Sequence, residues 1–179
     1  MDLAALAAAP LSYSFVGATR EPGAAVPAGF RSLERAAALG HGDAAWQAVR
    51  VGVLGWGVQR GAGLRVRTAG DPSRIREGDV AIVTVPPWPA GLPVRVVYAI
   101  DEPDRAGFGY GTLPGHAECG EEAWIAERHG DEVRLVIRAI SRPAGVYRLA
   151  APVLRLVQER VTERYLRALG PVAARDGRE

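Results

Sequence analysis

Residues 116–122 place a histidine close to three carboxylates in the run HAECGEE. Imidazole exchanges protons near neutral pH and a carboxylate can take up or orient that proton, so His116, Glu121 and Glu122 could serve acid–base chemistry or hold a metal. The spacing argues against a metal. Alternation along a strand sends Glu121 and Glu122 to opposite faces, and His116 follows Pro114-Gly115 in a turn. A hairpin tip with local hydrogen bonds accounts for these residues, and no metal or cofactor is expected. Downstream, Ser141-Arg142-Pro143 closes the last strand. Arg142 either pairs with Glu121 or Glu122 or anchors an anionic group at a cavity mouth. Ser141 lacks the G-x-S-x-G elbow that would make it a nucleophile. Cys119, the single cysteine, has no activating partner in the sequence.

The second unusual stretch is Gly107-Phe108-Gly109-Tyr110-Gly111-Thr112. On a strand this puts three glycines on one face and two aromatics with a threonine on the other. Glycine weakens a strand, so three in register need a cause. A sharp bend, or a close packing of another element on bare backbone, is one. The other is a floor left low so that a ligand can lie on it. A dinucleotide fingerprint is excluded, since no helix follows to present its N-terminus to a phosphate.

The elements that must position these residues follow from periodicity. Residues 11–19 (LSYSFVGAT) predict a first strand, followed by a Gly/Pro-rich loop over 21–29. Ser32 is expected to cap a short helix, LERAAAL, ending at Gly40. Asp43 is expected to cap a second, in which Trp46, Val49, Val53 and Leu54 recur at helical spacing and which frays near Trp56. From Gly63 the period changes. Residues 64–68, 79–85, 94–100, 105–113, 121–127 and 133–139 read as six strands joined by short turns, an antiparallel meander. Val94, Val96, Tyr98 and Ile100 stand at every second position, which predicts one shared face. Pro152 opens a long helix with an apolar stripe of Val153, Leu156, Val157, Val161, Tyr165, Ala168 and Leu169, stopped by Gly170-Pro171.

With 179 residues, 48% of them hydrophobic, the chain fits one α+β domain over 1–179, with an ordered core of about 11–170 and a flexible tail at 171–179. Its 22 basic residues are all arginine and interleave with 20 acids for a net charge of +2. Despite a pI of about 9.0, no block of like charge forms, which argues against a nucleic-acid partner. One cysteine rules out an internal disulfide and suits a reducing compartment. Asp2 stands where a signal peptide needs positive charge, and no stretch approaches the ~18 apolar residues of a membrane span. A cytoplasmic protein without membrane contact is expected.

Four segments, YSFVGAT (13–19), RVVY (95–98), GFGYGTLPGHAECGEE (107–122) and SRPA (141–144), together resemble the uncharacterised family UPF0548, a domain of unknown function. The resemblance covers nearly the whole chain and carries no activity across. The order of elements is similar to the helix-grip fold of START-like (Bet v 1-like) domains: a curved antiparallel sheet of about seven strands, two short helices after the first strand and a long C-terminal helix. That fold implies a cavity between sheet and helix and a small apolar or amphipathic ligand. Its expected lining is Tyr98, the strand Gly107, Phe108, Gly109, Tyr110, Gly111 and Thr112, together with Trp124, Val157 and Tyr165. The polar residues His116, Glu121, Glu122, Ser141 and Arg142 complete the set to test. The alternative is a hydrolase or isomerase in which His116, Glu121 or Glu122 acts with Arg142, which requires them to converge in one pocket.

Overall fold

The alternating pattern over the second half of the chain builds the meander it predicts, and the first half departs from expectation in several places. A computed structural model describes residues 1–71, 73–88 and 90–170; the tail expected to be flexible lies outside them. The elements run α1 (Leu3–Ala8), β1 (Arg31–His41), α2 (Gly42–Leu54), α3 (Gly57–Gly61), β2 (Arg65–Thr68), β3 (Val80–Thr84), β4 (Gly91–Asp101), β5 (Arg105–Thr112), β6 (Glu118–His129), β7 (Glu132–Pro143), a 3-10 helix (Gly145–Ala150) and α4 (Ala151–Arg167). All seven strands join one antiparallel sheet in the order β1-β7-β6-β5-β4-β3-β2.

The expected helix over LERAAAL is instead the middle of β1. Its alanines favour a helix, but β7 offers a full ladder, from Arg31 opposite Ser141 to His41 opposite Glu132, and pairing overrides local propensity. The expected strand at 11–19 is not a strand. It is a strap across the outer face of the sheet, and its aromatic residues pack on one another instead of joining a ladder: Tyr13 lies tilted on Phe15 at 4.7 Å between centroids, and Phe15 meets Phe30 edge-on at 4.8 Å. Two helices do follow the first strand. Asp43 sits in the first turn of α2, where the N-cap is His41; its carboxylate complements the helix dipole and pairs with Arg128 at 2.6 Å. The chain turns sharply at Trp56, which takes the left-handed conformation (φ 61°) and is buried against Phe108. α1 was not foreseen; its Leu6 packs with Val80, Ile82 and Leu113 on the outer face.

The expectation of one shared face along β4 fails at a bulge. Val96 stands opposite Tyr110 and Tyr98 opposite Gly109, so two steps on β4 match one on β5. The extra residue reverses the parity. Val94 and Val96 join the inner core with α2, whereas Tyr98 and Ile100 belong to an outer cluster with Ala123 and Ile125. The inner core contains Trp46, Trp56, Phe108, Tyr110, Trp124 and Tyr165. α4 grips it only through its second half, where Thr162 and Tyr165 are buried. Val153, Leu156 and Val157 are solvent-exposed, at 64%, 48% and 42%. The predicted stripe is therefore correct from Val161 onward and wrong before it: the first half of α4 turns Leu154 and Gln158 toward the sheet instead.

The three glycines of β5 lie on the outer face, under other residues. A Cβ at Gly109 would strike the ring of Tyr98, with Cε1 at 2.6 Å. At Gly111 it would meet Tyr13 Cε1 at 2.7 Å and Leu11 Cδ2 at 2.8 Å, and at Gly107 the backbone of Ile125 at 2.8 Å. A ring can swing aside, while a neighbouring strand cannot. Gly107→Ala is thus expected to cost about 3 kcal/mol and Gly109→Ala about 1–2 kcal/mol. Urea unfolding of the two variants measures this, and equal midpoints would contradict it.

Candidate functional site

The neighbouring carboxylates Glu121 and Glu122 leave β6 on opposite sides, as alternation requires. Glu121 is buried on the outer side and accepts four hydrogen bonds from the strap: Tyr13 Oη at 2.7 Å, Gly17 N at 2.8 Å, Thr19 N at 2.8 Å and Thr19 Oγ1 at 2.5 Å. Tyr98 joins this side through Thr19 Oγ1 at 2.8 Å. Glu121, Tyr98 and the glycines thus fasten the strap. They do not face the interior space expected for a ligand.

Glu122 points inward. Tyr110 Oη donates to it at 3.2 Å, and both line a small polar pocket of about 10 Å³ with Thr112, His116, Glu118 and Ser141. That volume suits about one water molecule. His116 is fixed by the Glu118 backbone N–H, which donates to Nδ1 at 2.9 Å. Burial lowers the His116 pKa to about 4, so the ring is neutral at physiological pH. Burial raises the Glu118 carboxyl to about 7, opposed by a hydrogen bond from Ser141. Burial, and then the charge of Glu118, raises Glu122 to about 8. Tyr110 and Tyr165 are held protonated, again chiefly by burial.

The space directly beneath the second half of α4 is filled. Phe108, Trp124 and Trp56 are at most 1% exposed, and ring centroids lie 4.8 Å apart for Trp56–Phe108, 5.4 Å for Phe108–Trp124 and 5.2 Å for Trp124–Tyr165. The apolar cavity expected there is an aromatic core. Phe108, Trp124 and Tyr165 belong to it, and Val157 faces solvent on the back of α4. Open space lies instead between the first half of α4 and the edge of the sheet. It is a groove of about 720 Å³ walled by Phe30, Arg31, Leu33, Arg142, Leu154 and Arg155 among others. Glu118, Ala139, Ser141 and Gln158 line both this groove and the polar pocket, so the pocket is its inner end.

Of the residues picked from sequence, Tyr110, Thr112, His116, Glu122 and Ser141 meet at the inner pocket, Glu121 also lines it although its carboxylate bonds the strap, and Arg142 lines the groove. The acid–base set of His116, Glu121, Glu122 and Arg142 does not converge: the Glu121 carboxylate is taken by the strap, and Arg142 stacks on Phe30 outside the pocket. Sequence reasoning passed over Glu118 as a site residue, although it lies four positions before Glu122 and hence on the same strand face. It also missed Arg31 and Leu33, hidden by the expected helix, and Leu154 and Gln158, which lie off the apolar stripe.

A seven-stranded antiparallel sheet gripped by a C-terminal helix, with two short helices after its first strand, defines a helix-grip domain of the START-like, Bet v 1-like class. Norcoclaurine synthase of Thalictrum flavum shares the fold at a TM-score of 0.52 and 10% identity, over 78% of this chain and 94% of that one. A hypothetical protein of Helicobacter pylori shares it at a TM-score of 0.60 and 13% identity, over 83% and 88%. Within that class, residues 12–168 match the family described as Domain of unknown function (DUF1990). Over 151 residues the chain is 33% identical to a UPF0548 protein of Deinococcus radiodurans, covering 78% of this chain and 76% of the relative. The chain belongs to this family. Among the described residues no helix is long and apolar enough to cross a membrane, and no group of His, Cys, Asp and Glu is arranged to hold a metal ion.

The raised carboxyl of Glu122 has a consequence for stability. Unfolded, it ionises near 4.5; folded, near 8. Between these values the folded chain keeps a proton that the unfolded chain has lost, so its contribution fades as pH rises through that window. Glu122→Gln should raise Tm at pH 8 by roughly 2–4 °C or more and change it little at pH 4.5. Thermal denaturation at both pH values checks this; equal shifts at the two would contradict it.

Proposed function

We propose that this domain binds a small amphipathic molecule in the groove between the sheet edge and the first half of α4, with a polar tip reaching the inner pocket. The observation that carries this reading is the groove itself. Its volume of about 720 Å³ falls in the range of about 300–1,000 Å³ usual for small-molecule sites. Its walls are mixed: Phe30, Leu33 and Leu154 offer apolar surface, and Ser141 and Gln158 lead to the hydroxyl and carboxyl groups within. At the inner end Tyr110 Oη and the neutral Glu122 and His116 supply uncharged donors and acceptors, which suit a hydroxyl or carbonyl group. Norcoclaurine synthase, on the same fold, has been solved with a transition state analogue, which supports reading this architecture as one able to hold a small molecule.

Native mass spectrometry of freshly purified protein should show a co-purified small molecule or, after stripping, one-to-one binding of Nile red. Leu154→Trp, which fills the groove from α4 without touching the aromatic core, should weaken dye binding at least tenfold. A protein that takes up neither, or a variant that binds as the parent does, would overturn the reading.

A further inference from the structure

We infer that the groove selects ligands bearing an anionic group, a carboxylate or a phosphate, and that Arg142 and Arg31 hold that group. The inference rests on the groove being the ligand site and adds the chemistry of what enters it.

Five arginines line the groove, Arg31, Arg35, Arg142, Arg148 and Arg155, against two carboxylates, Glu118 and Glu159. Arg155 is matched by Glu159 at 3.1 Å. Among the described residues Arg31, Arg35, Arg142 and Arg148 form no ion pair; arginines elsewhere, such as Arg65 and Arg134, are unpaired too, but these four line one groove. The groove wall therefore carries an excess of positive charge, on side chains that are solvent-exposed and free to meet an anion.

Arg142 is also prepared to receive one. Its guanidinium lies 4.5 Å above the ring centroid of Phe30. This cation–π contact restrains the guanidinium without using its N–H groups, which remain for a planar or tetrahedral anion. Phe30 is held in turn by Phe15 at 4.8 Å, so the platform is itself anchored. Arg31, opposite Ser141 in the β1–β7 ladder, shares the sheet face of Ser141 and lines the same groove as Arg142, adding a second guanidinium to its wall. Leu33 and Leu154 continue the wall from there and offer apolar surface to a chain. The acid at the inner end, Glu118, is largely protonated below neutral pH and opposes an anion little there.

The test compares three ligands with one alkyl chain, octanoate, octyl phosphate and octanol, by isothermal titration calorimetry with the full chain. At least one of the two anions should bind tenfold or more tightly than octanol, and its affinity should fall as salt rises. The stronger of the two names the group as carboxylate or phosphate. In Arg31→Gln/Arg142→Gln the anion should lose about tenfold while octanol keeps its affinity; Arg142→Lys, which keeps charge but not the planar fork, should fall between. Octanol binding as well as both anions would overturn the inference and leave the groove as a ligand site. Absence of binding by all three, together with absence of Nile red uptake, would overturn both. Anion binding that survives the double substitution would overturn the assignment to these arginines.

Discussion

One buried carboxylate holds the outer half of this molecule together. Glu121 takes four hydrogen bonds from a strap that has no regular structure of its own, and it satisfies backbone N–H groups of Gly17 and Thr19 that a strand ladder would otherwise have to satisfy. The strap must lie close to the sheet for those bonds to form. The bare backbone at Gly109 and Gly111 makes that approach possible, because the rings of Tyr98 and Tyr13 occupy the places of the absent side chains. Carboxylate, glycines and rings are one packing solution, and none of the three has a sufficient reason to be there without the others.

On the inner face the same strands do something different. Phe108, Tyr110 and Trp124 fill the interior so fully that the C-terminal helix rests on a solid core at Tyr165. Space is displaced toward the first half of that helix, where β1 and β7 form the sheet edge. The site that results has two chemistries in series: a basic outer groove and an inner pocket of neutral hydrogen-bonding groups. A helix-grip domain is usually pictured as closing over a cavity in its middle; here the grip is closed at one end of the helix and open at the other.

What could be read from sequence was what depends on local periodicity. The meander from β2 to β7, α2 with its buried Trp46, Val49 and Val53, and the opposite directions of Glu121 and Glu122 all follow from spacing alone. What could not be read depends on pairing partners far along the chain. β1 is alanine-rich and becomes a strand because β7, a hundred residues later, needs a neighbour. The bulge at Val97 leaves no sign in a run of alternating apolar residues, yet it moved Tyr98 out of the expected site. The apolar stripe of α4 misled for another reason: Val153, Leu156 and Val157 are apolar but exposed, so hydrophobicity there did not mark the buried face. Of the residues best anticipated, Tyr110, Glu122 and Ser141 lie on β5, β6 and β7, whose pairing through β6 is regular, and His116 sits in the turn joining β5 to β6.

The rings of the strap link the buried Glu121 to the groove. Tyr13 is bonded to Glu121 and packs on Phe15, Phe15 packs on Phe30, and Phe30 carries the guanidinium of Arg142. The strap, through Phe15, therefore sets where the groove wall at Phe30 stands. Trimming or lengthening the segment between Phe15 and Val26 would move one edge of the groove without altering a residue that lines it, so relatives could reshape the groove by changing loop length alone.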